Sequence, residues 1–149
     1  MAQIQHNSQL NGMLVALGRS LLQYASECWP WVGLSEQETQ SVIDHLAGLQ
    51  RQEVAAIAEL LDEREWPVDF GTYPTDYTDL HFVALDFLLA RIISGEESLV
   101  ADLEEAAHTC VDDPQASAVL HEVLTTERKI LERVQAVAGA RKKAAGAGV

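Results

Sequence analysis

Apolar residues recur every three or four positions along four long segments of this chain of 149 residues. This spacing places them on one face of an α-helix, because an α-helix completes a turn in 3.6 residues. In the first segment the repeating positions are Leu10, Leu14, Leu17, Leu21 and Tyr24. No segment alternates apolar and polar residues for long enough to predict a half-buried strand. The pattern therefore predicts an all-α fold built from four amphipathic helices.

Prolines mark the ends of the first two predicted helices. The first is expected to run from near Ser8 to the corner Trp29-Pro30-Trp31, because proline removes a backbone donor and blocks the helix. The second is expected to begin at Ser35, which has the capping-box spacing to Glu38, and to end before Pro67. These boundaries predict a helical hairpin with a short corner.

The second half of the chain has the same plan after a long connection. Residues 66–78 contain two prolines and one glycine and predict an ordered crossover, with Thr78 or Asp79 as the cap of helix three. A short turn at Asp112-Asp113-Pro114 then leads to helix four. A long connection between helices two and three is typical of a four-helix bundle with one end-to-end crossover.

Composition limits the environment and the partners. The formal net charge is −13, and the positive residues Arg141, Lys142 and Lys143 lie in the last eleven positions. The chain before these positions is strongly acidic and repels phosphate backbones, which predicts that nucleic acid is not a partner. We expect one bundle domain over residues 1–138 and a flexible basic tail over residues 139–149.

The location predicted for the chain is the cytoplasm. Two cysteines are too few for a disulfide framework, and the first ten residues have neither a basic nor an apolar signal region. No apolar run approaches the roughly 18 residues needed to cross a bilayer, so membrane association is not expected.

One acid interrupts each of three apolar stripes. Glu53, Glu96 and Glu127 stand where an apolar residue is expected, with apolar residues one turn before and after. An ionised carboxylate inside a core costs several kcal/mol unless it is paired or binds a metal. These three residues are therefore the candidate metal-binding site of the chain.

The segment LLARIISGEESLVADLEEAAHTCVDDPQASAVLHEVLTTERKILERV resembles the second half of ferritin-like proteins, in particular the bacterioferritin and rubrerythrin relatives. The segment LQRQEVAAIAELLDEREWP is similar to their helix-two ligand stretch. The resemblance implies a ferritin-like four-helix bundle with a long crossover between helices two and three. It also implies that the acids at positions 53, 96 and 127 correspond to metal-binding glutamates of the family.

The chain departs from the di-iron pattern of that family at three positions. The two E-x-x-H motifs end in Ala56 and Ile130 instead of histidine, and the helix-one glutamate position falls near Leu17. Iron is thus left without the imidazole ligands that suit it. A standard ferroxidase centre is not expected.

Other histidines and acids are weaker candidates. Glu105 and His108 form a literal E-x-x-H motif, but beside the stripe and close to a helix end. His81 lies near Tyr73 and Tyr77 in a polar, aromatic stretch that either lines a pocket or packs the crossover. Nucleophilic catalysis has no support, because the chain lacks a G-x-S-x-G turn and a local Cys–His pair.

Two functions remain open at this point. In the first, the bundle carries no metal and serves as a binding or assembly module, and its inward acids are protonated or bonded to Gln50, Tyr24 or an arginine from a neighbour. A homodimer is expected, packed through apolar residues off the main stripes, namely Val32, Leu61, Val83, Leu88 and Val100. In the second, a reduced carboxylate site binds iron or manganese, and bound iron would bring the family's Fe(II) oxidation or oxygen activation.

Overall fold

The computed structural model describes residues 2–147, and this range contains five α-helices and no strand. The helices are α1 (Ala2–Gly18), α2 (Leu21–Cys28), α3 (Gln37–Glu63), α4 (Leu85–Thr109) and α5 (Pro114–Ala147). Short 3-10 helices span Leu34–Glu36, before α3, and Thr75–Phe82, within the crossover. The prediction of an all-α helical bundle is confirmed.

The first predicted helix is interrupted. Instead of running unbroken to Trp29, the chain ends α1 at Gly18 and begins α2 at Leu21, with Ser20 as the N-cap. The Ser20 side chain accepts a hydrogen bond from the backbone amide of Gln23 at 3.2 Å. A serine followed three residues later by glutamine is a helix-start signal, and here it breaks the helix although the apolar spacing continues across it.

Two of the helix caps predicted from the sequence are wrong. Ser35 does not cap α3, because the residues before α3 form a 3-10 turn and no side-chain bond caps either helix there. Thr78 lies inside the second 3-10 helix, where its hydroxyl donates to the carbonyl of Thr75, and α4 begins later, at Leu85. The turn before α5 is as predicted, since the Asp113 carboxylate accepts a bond from the amide of Ala116 at 3.2 Å.

Two apolar layers show how the helices run. One layer combines the end of α1 with the ends of α3 and α4 and the start of α5; Leu14, Leu61, Leu103 and Leu120 are representative. The other combines α2 with the starts of α3 and α4 and the later part of α5; Leu22, Leu46, Leu89 and Val134 are representative. Helices α3 and α4 therefore run in the same direction, and residues 64–84 connect opposite ends of the bundle.

Residues 139–147 continue as helix. Helix α5 extends through most of the predicted tail as far as Ala147, and Arg141 donates to the Asp86 carboxylate at 2.8 Å. The flexibility of that segment stays a prediction, and its last two residues, 148–149, lie outside the described range. None of the helices in residues 2–147 has the length and apolar character required to cross a membrane.

Candidate functional site

A layer of buried polar side chains separates the two apolar layers. Glu53, Glu96 and Glu127 all lie in it, at 5%, 1% and 0% exposure, together with Gln50 and Ser20. Along each helix these residues stand between members of the two apolar layers, as Glu96 stands between Ile92 and Leu99. The three acids singled out by the sequence are thus brought to one level of the bundle.

The amide of Gln50 is at the centre of this polar layer. Its nitrogen donates to Glu127 Oε1 at 2.8 Å and to the two carboxyl oxygens of Glu96 at 3.0 and 3.3 Å. Its oxygen accepts from the Ser20 hydroxyl at 2.7 Å and from the Gln23 amide at 3.0 Å. Because two donors meet that oxygen, the amide orientation is determined and its N–H groups face the acids.

Gln23 extends the network to the protein surface. Its amide nitrogen also donates to the carbonyl of Ala47 at 2.8 Å, and its side-chain oxygen accepts from the guanidinium of Arg51 at 3.1 Å. Arg51 is exposed, whereas Gln23 is buried. A continuous path of hydrogen bonds therefore joins a surface arginine to the buried acids. Sequence reasoning missed Ser20 and Gln23 because it took the break in the first helix for continuous helix.

The Glu53 carboxyl lies within hydrogen-bonding reach of the Glu127 carboxyl, and no N–H or hydroxyl donor of the described residues reaches it or Glu127 Oε2. Burial, followed by the close Glu127 carboxyl and the charge of Glu96, raises the pKa of Glu53 to about 11. Burial and the same Glu127 carboxyl raise the pKa of Glu96 to about 10, although the amide of Gln50 opposes the rise. Both groups consequently hold their protons at neutral pH.

The residues of this layer do not fit a standard di-iron centre. Ile130 and Leu17 are fully buried members of the apolar layers, and Ala56 has no donor atom. The Gln50 amide directs hydrogen-bond donors at two of the three acids, where a metal would need acceptors. Within residues 2–147, no group of three His, Cys, Asp or Glu side chains is arranged to hold a metal ion.

Two pockets reach the polar layer from the surface. The first, of about 290 Å³, lies beside the α1–α2 break, beneath the crossover and against α4, and Glu96 is part of its wall. The second, of about 200 Å³, lies between α3 and α5 and is lined by Glu53, Ala56 and Glu122 among others. Each pocket thus has one of the three acids in its wall, although the carboxyl oxygens of Glu53 are themselves buried.

The aromatic residues of the crossover form a separate cluster. The Tyr24 hydroxyl is 2.6 Å from His81 Nε2, and the rings of Tyr73 and Tyr77 meet the Tyr24 ring edge-on at 5.2 and 5.4 Å. Tyr24 was expected to bond the buried acids, but its hydrogen bond goes to His81. Of the two residues predicted to support the acids, only Gln50 reaches them.

The remaining candidates lie on the surface. Glu105 and His108 are exposed on α4, and His121 is exposed on α5, where its ring bonds the carbonyl of Ser117 at 2.7 Å. These positions do not meet the polar layer.

Comparisons of the chain with protein-family models, with curated proteins and with solved structures gave no match.

Proposed function

We propose that this chain is a ferritin-like bundle protein that lacks a standard di-iron ferroxidase centre and acts as a binding and assembly module. The direction of the helices and the long crossover between α3 and α4 support the ferritin-like assignment. The cytoplasm is the proposed location, and the net charge of −13 argues against nucleic acid as a partner.

The observation that carries the metal-free assignment is the Gln50 amide. Its nitrogen donates to both Glu96 and Glu127, so hydrogen bonds take the place that a bridging cation would need. Protonation removes the charge of buried Glu53 and Glu96, which makes the layer stable without a counter-ion. The polar layer is then a fixed interior of the bundle, and binding takes place at the pockets and surfaces around it.

Metal content and thermal stability test this proposal together. The purified protein is analysed by mass spectrometry for bound metals, then melted with EDTA, with Mn²⁺ and with Fe(II) under anaerobic conditions. We expect less than about a tenth of an equivalent of metal and an unchanged melting temperature. An ion that bound the native state would raise the melting temperature. Stoichiometric metal together with a raised melting temperature would contradict the proposal.

A second candidate function is binding of manganese or iron by a reduced carboxylate site. The observation that favours it is the set of buried oxygens that no N–H or hydroxyl donor reaches, namely both of Glu53 and one of Glu127. An all-oxygen set suits a hard ion such as Mn²⁺ better than a histidine-bearing iron pair. In this case the melting temperature rises with Mn²⁺, and Glu53→Gln abolishes that rise while the exposed control Glu59→Gln keeps it.

Assembly is proposed to produce a homodimer, but not through all the residues expected from the sequence. Leu61 and Leu88 are fully buried in the core and unavailable to a partner, whereas Val32 is 69% exposed. Exposed aromatic residues on either side of the α4 start are better candidates, namely Phe82 at the end of the 3-10 helix, with 96% exposure, and Phe87 in α4, with 50%. Sedimentation equilibrium tests this, and Phe82→Ser with Phe87→Ser is expected to convert the dimer to a monomer.

A further inference from the structure

A groove follows the exposed side of α3, bordered by the α1–α2 break, by α2 and by the first part of the crossover. We call it the outer groove. Its volume of about 810 Å³ lies within the usual range of small-molecule sites. Apolar groups form most of its wall, and they come from Val54, Ala55, Ala58, Trp66, Val68 and Phe70. The outer groove therefore suits a ligand with an apolar body, and its polar residues determine the head group of that ligand.

Two arginines line the outer groove at nearly the same level of α3. Arg51 belongs to α3 itself, and Arg19 lies in the α1–α2 break. The residue before Arg19 is Gly18, where an added Cβ would lie 3.6 Å from Cγ2 of Val54, less than one helical turn after Arg51. No carboxylate of residues 2–147 forms an ion pair with either arginine. Both positive charges are thus left without a contacting acid.

Neutral groups hold both arginines in place. The Nε of Arg19 donates to the carbonyls of Phe70 and Gly71 at 3.2 and 3.1 Å. One terminal nitrogen of Arg51 donates to the side-chain oxygen of Gln23 at 3.1 Å. A guanidinium has five N–H donors in a fixed fork, so each arginine keeps donors for a ligand. The two side chains are therefore oriented before any ligand binds.

The indole of Trp66 provides a further donor. Trp29 donates its indole N–H to the carbonyl of Leu80, and Trp31 donates to the carbonyl of Ala25, both at 2.9 Å. Within the described range, the Trp66 indole has no such acceptor, although the residue is half-buried in the groove wall. Arginine and indole donors together favour a ligand that accepts hydrogen bonds.

Acids also line the outer groove, but none of them forms an ion pair with its two arginines. Glu27 accepts a hydrogen bond from the Tyr73 hydroxyl at 2.9 Å. Glu59 and Asp62 lie further along α3 than Arg51, by about 12 and 16 Å along the helix axis at a rise of about 1.5 Å per residue. An anionic head group can therefore meet the arginines without approaching the acids of α3.

We propose that the outer groove binds a small carboxylate with an apolar body, with the carboxylate against Arg19 and Arg51 and the body against Val54, Ala58 and Trp66. This inference rests on the binding module proposed above and names its ligand class. A guanidinium matches the shape of a carboxylate and donates charge-assisted hydrogen bonds to it. An ammonium or a hydroxyl group gains neither advantage at these two arginines.

The test compares 3-phenylpropionate with 3-phenylpropanol and 3-phenylpropylamine, which share the apolar body and differ in the head group. Each is titrated into the full-length protein at pH 7 up to about 20 mM, because ligands of this size bind with Kd values on the order of 1–10 mM. We expect the carboxylate to bind at least about tenfold more tightly than the alcohol or the amine. The net charge of −13 attracts the amine and repels the carboxylate, so this order requires the local arginines.

The indole N–H signals in the NMR spectrum report where the ligand binds. The chain has three tryptophans, so each signal can be assigned by single replacements. The Trp66 signal is expected to shift during the titration with 3-phenylpropionate. Trp29 and Trp31 lie outside the outer groove, and their signals should stay in place.

Two variants with matched controls test the two parts of the site. Arg51→Gln removes the charge but keeps an amide donor, and should weaken 3-phenylpropionate binding at least about tenfold. Arg133→Gln removes the same charge from an exposed position of α5 and should bind as the parent protein does. Ala55→Phe fills the groove from an exposed position and should also weaken binding at least about tenfold, whereas Ala136→Phe, exposed on α5, should not.

Four results would overturn the inference: no binding of 3-phenylpropionate, equal or tighter binding of the alcohol or the amine, equal binding by the two arginine variants, or unchanged binding by the Ala55→Phe variant. Each of these leaves the metal-free proposal standing if the protein still lacks metal. Conversely, stoichiometric metal with a raised melting temperature contradicts the proposed function whatever the carboxylate titration gives, so the two failures are distinguishable.

Discussion

The side-chain nitrogen of Gln50 on α3 lies 2.8 Å from Glu127 Oε1 on α5, and the same nitrogen also bonds Glu96 on α4. One amide therefore joins three of the helices inside the core. Its oxygen accepts a hydrogen bond from Ser20, which lies between α1 and α2. Replacing Gln50 is the most direct perturbation of the polar layer.

Gln50→Leu is expected to lower the free energy of unfolding by about 2–4 kcal/mol, because buried groups on Ser20, Gln23 and the acids lose their partner. Urea unfolding followed by circular dichroism measures the loss. Gln52→Leu changes the same residue type at an exposed position of α3 and should stay within about 0.5 kcal/mol. A Gln50 variant as stable as the control would contradict the role of this amide.

Stability is expected to fall as pH rises from about 5 to 9. The folded pKa values of Glu53 and Glu96, about 11 and about 10, lie above the ordinary value of 4.5. Protonated carboxyls therefore contribute stability that is fully present below pH 4.5 and is lost as pH rises toward 10, by up to about 1.4 kcal/mol per pH unit for each group. Melting temperatures across this range test the slope. Glu53→Gln should make the melting temperature less dependent on pH, whereas Glu59→Gln, at an exposed position, should not. Equal pH dependence in the two variants would contradict the protonated acids.

Glu53→Met is expected to stabilise the protein at pH 8 by about 1–3 kcal/mol. Methionine has a similar length, and the exchange gives up only the contact with the Glu127 carboxyl, while the cost of a buried acid disappears. Chemical denaturation at pH 8 and pH 5 provides the measurement, with a smaller gain expected at pH 5. A metal site predicts the reverse, since the variant would then lose both its ion and the stability that the ion confers.

A second buried charge cluster joins the N-terminal helix to the α4–α5 turn. Asp113 accepts from Arg64 at 2.7 Å and contacts His6 Nδ1 at 3.1 Å. The hydrogen bond from Arg64 lowers the pKa of Asp113 to about 2. The stabilisation is therefore present above pH 3.8 and is lost as pH falls toward 2.

Asp113→Asn is expected to cost about 2–4 kcal/mol at pH 7, because it leaves the charge of buried Arg64 without its carboxylate partner while asparagine can still cap α5. Asp112→Asn is the matched control, since that side chain is 69% exposed and should change stability by less than about 1 kcal/mol. Thermal melts at pH 7 and pH 3 compare the two. If the two variants were equally stable at pH 7, the ion pair between Arg64 and Asp113 would not be stabilising.

Gly71→Ala tests how the crossover packs on α1. Gly71 has a φ of +69°, and an added Cβ would lie 2.6 Å from Cγ1 of Val15. Backbone strain and this clash together should cost about 2–3 kcal/mol. Gly33→Ala shares the positive φ, at +89°, but meets only Ser35 Oγ at 3.9 Å, so about 1 kcal/mol is expected. Differential scanning calorimetry distinguishes these outcomes, and equal losses would argue against a tight Val15 contact.

Local sequence patterns predicted the helices and the three buried acids, because helical periodicity places each acid on the inward face of its own helix. The break at Ser20 escaped this reasoning, since Leu17 and Leu21 keep the apolar spacing on both sides of it. The serine-to-glutamine spacing from Ser20 to Gln23 was the available signal. Placing Leu17 at the level of the acids was a consequence of that omission, because this part of the chain meets the polar layer at Ser20, through its bond to Gln50.

The hydrogen-bond network and the pocket could not be predicted in this way. Whether Tyr24 reaches the acids or His81 depends on how the crossover lies over the bundle, which no helical period encodes. The same holds for His6, Arg64 and Asp113, which are far apart in the chain. Their contacts depend on tertiary packing, so only the folded arrangement shows them.

The polar layer divides unequally between the two halves of the chain. Gln50, whose oxygen accepts from Ser20 and Gln23, belongs with them to the hairpin before the crossover. Its two acceptors, Glu96 and Glu127, belong to the hairpin after it. Each hairpin also holds only part of both apolar layers. A chain cleaved within the crossover would thus yield two fragments with complementary buried groups, which match when they associate in the native alignment. Slippage of one hairpin by a helical turn would set donors and acids against leucines, so these few side chains specify the register in which the two halves recognise each other.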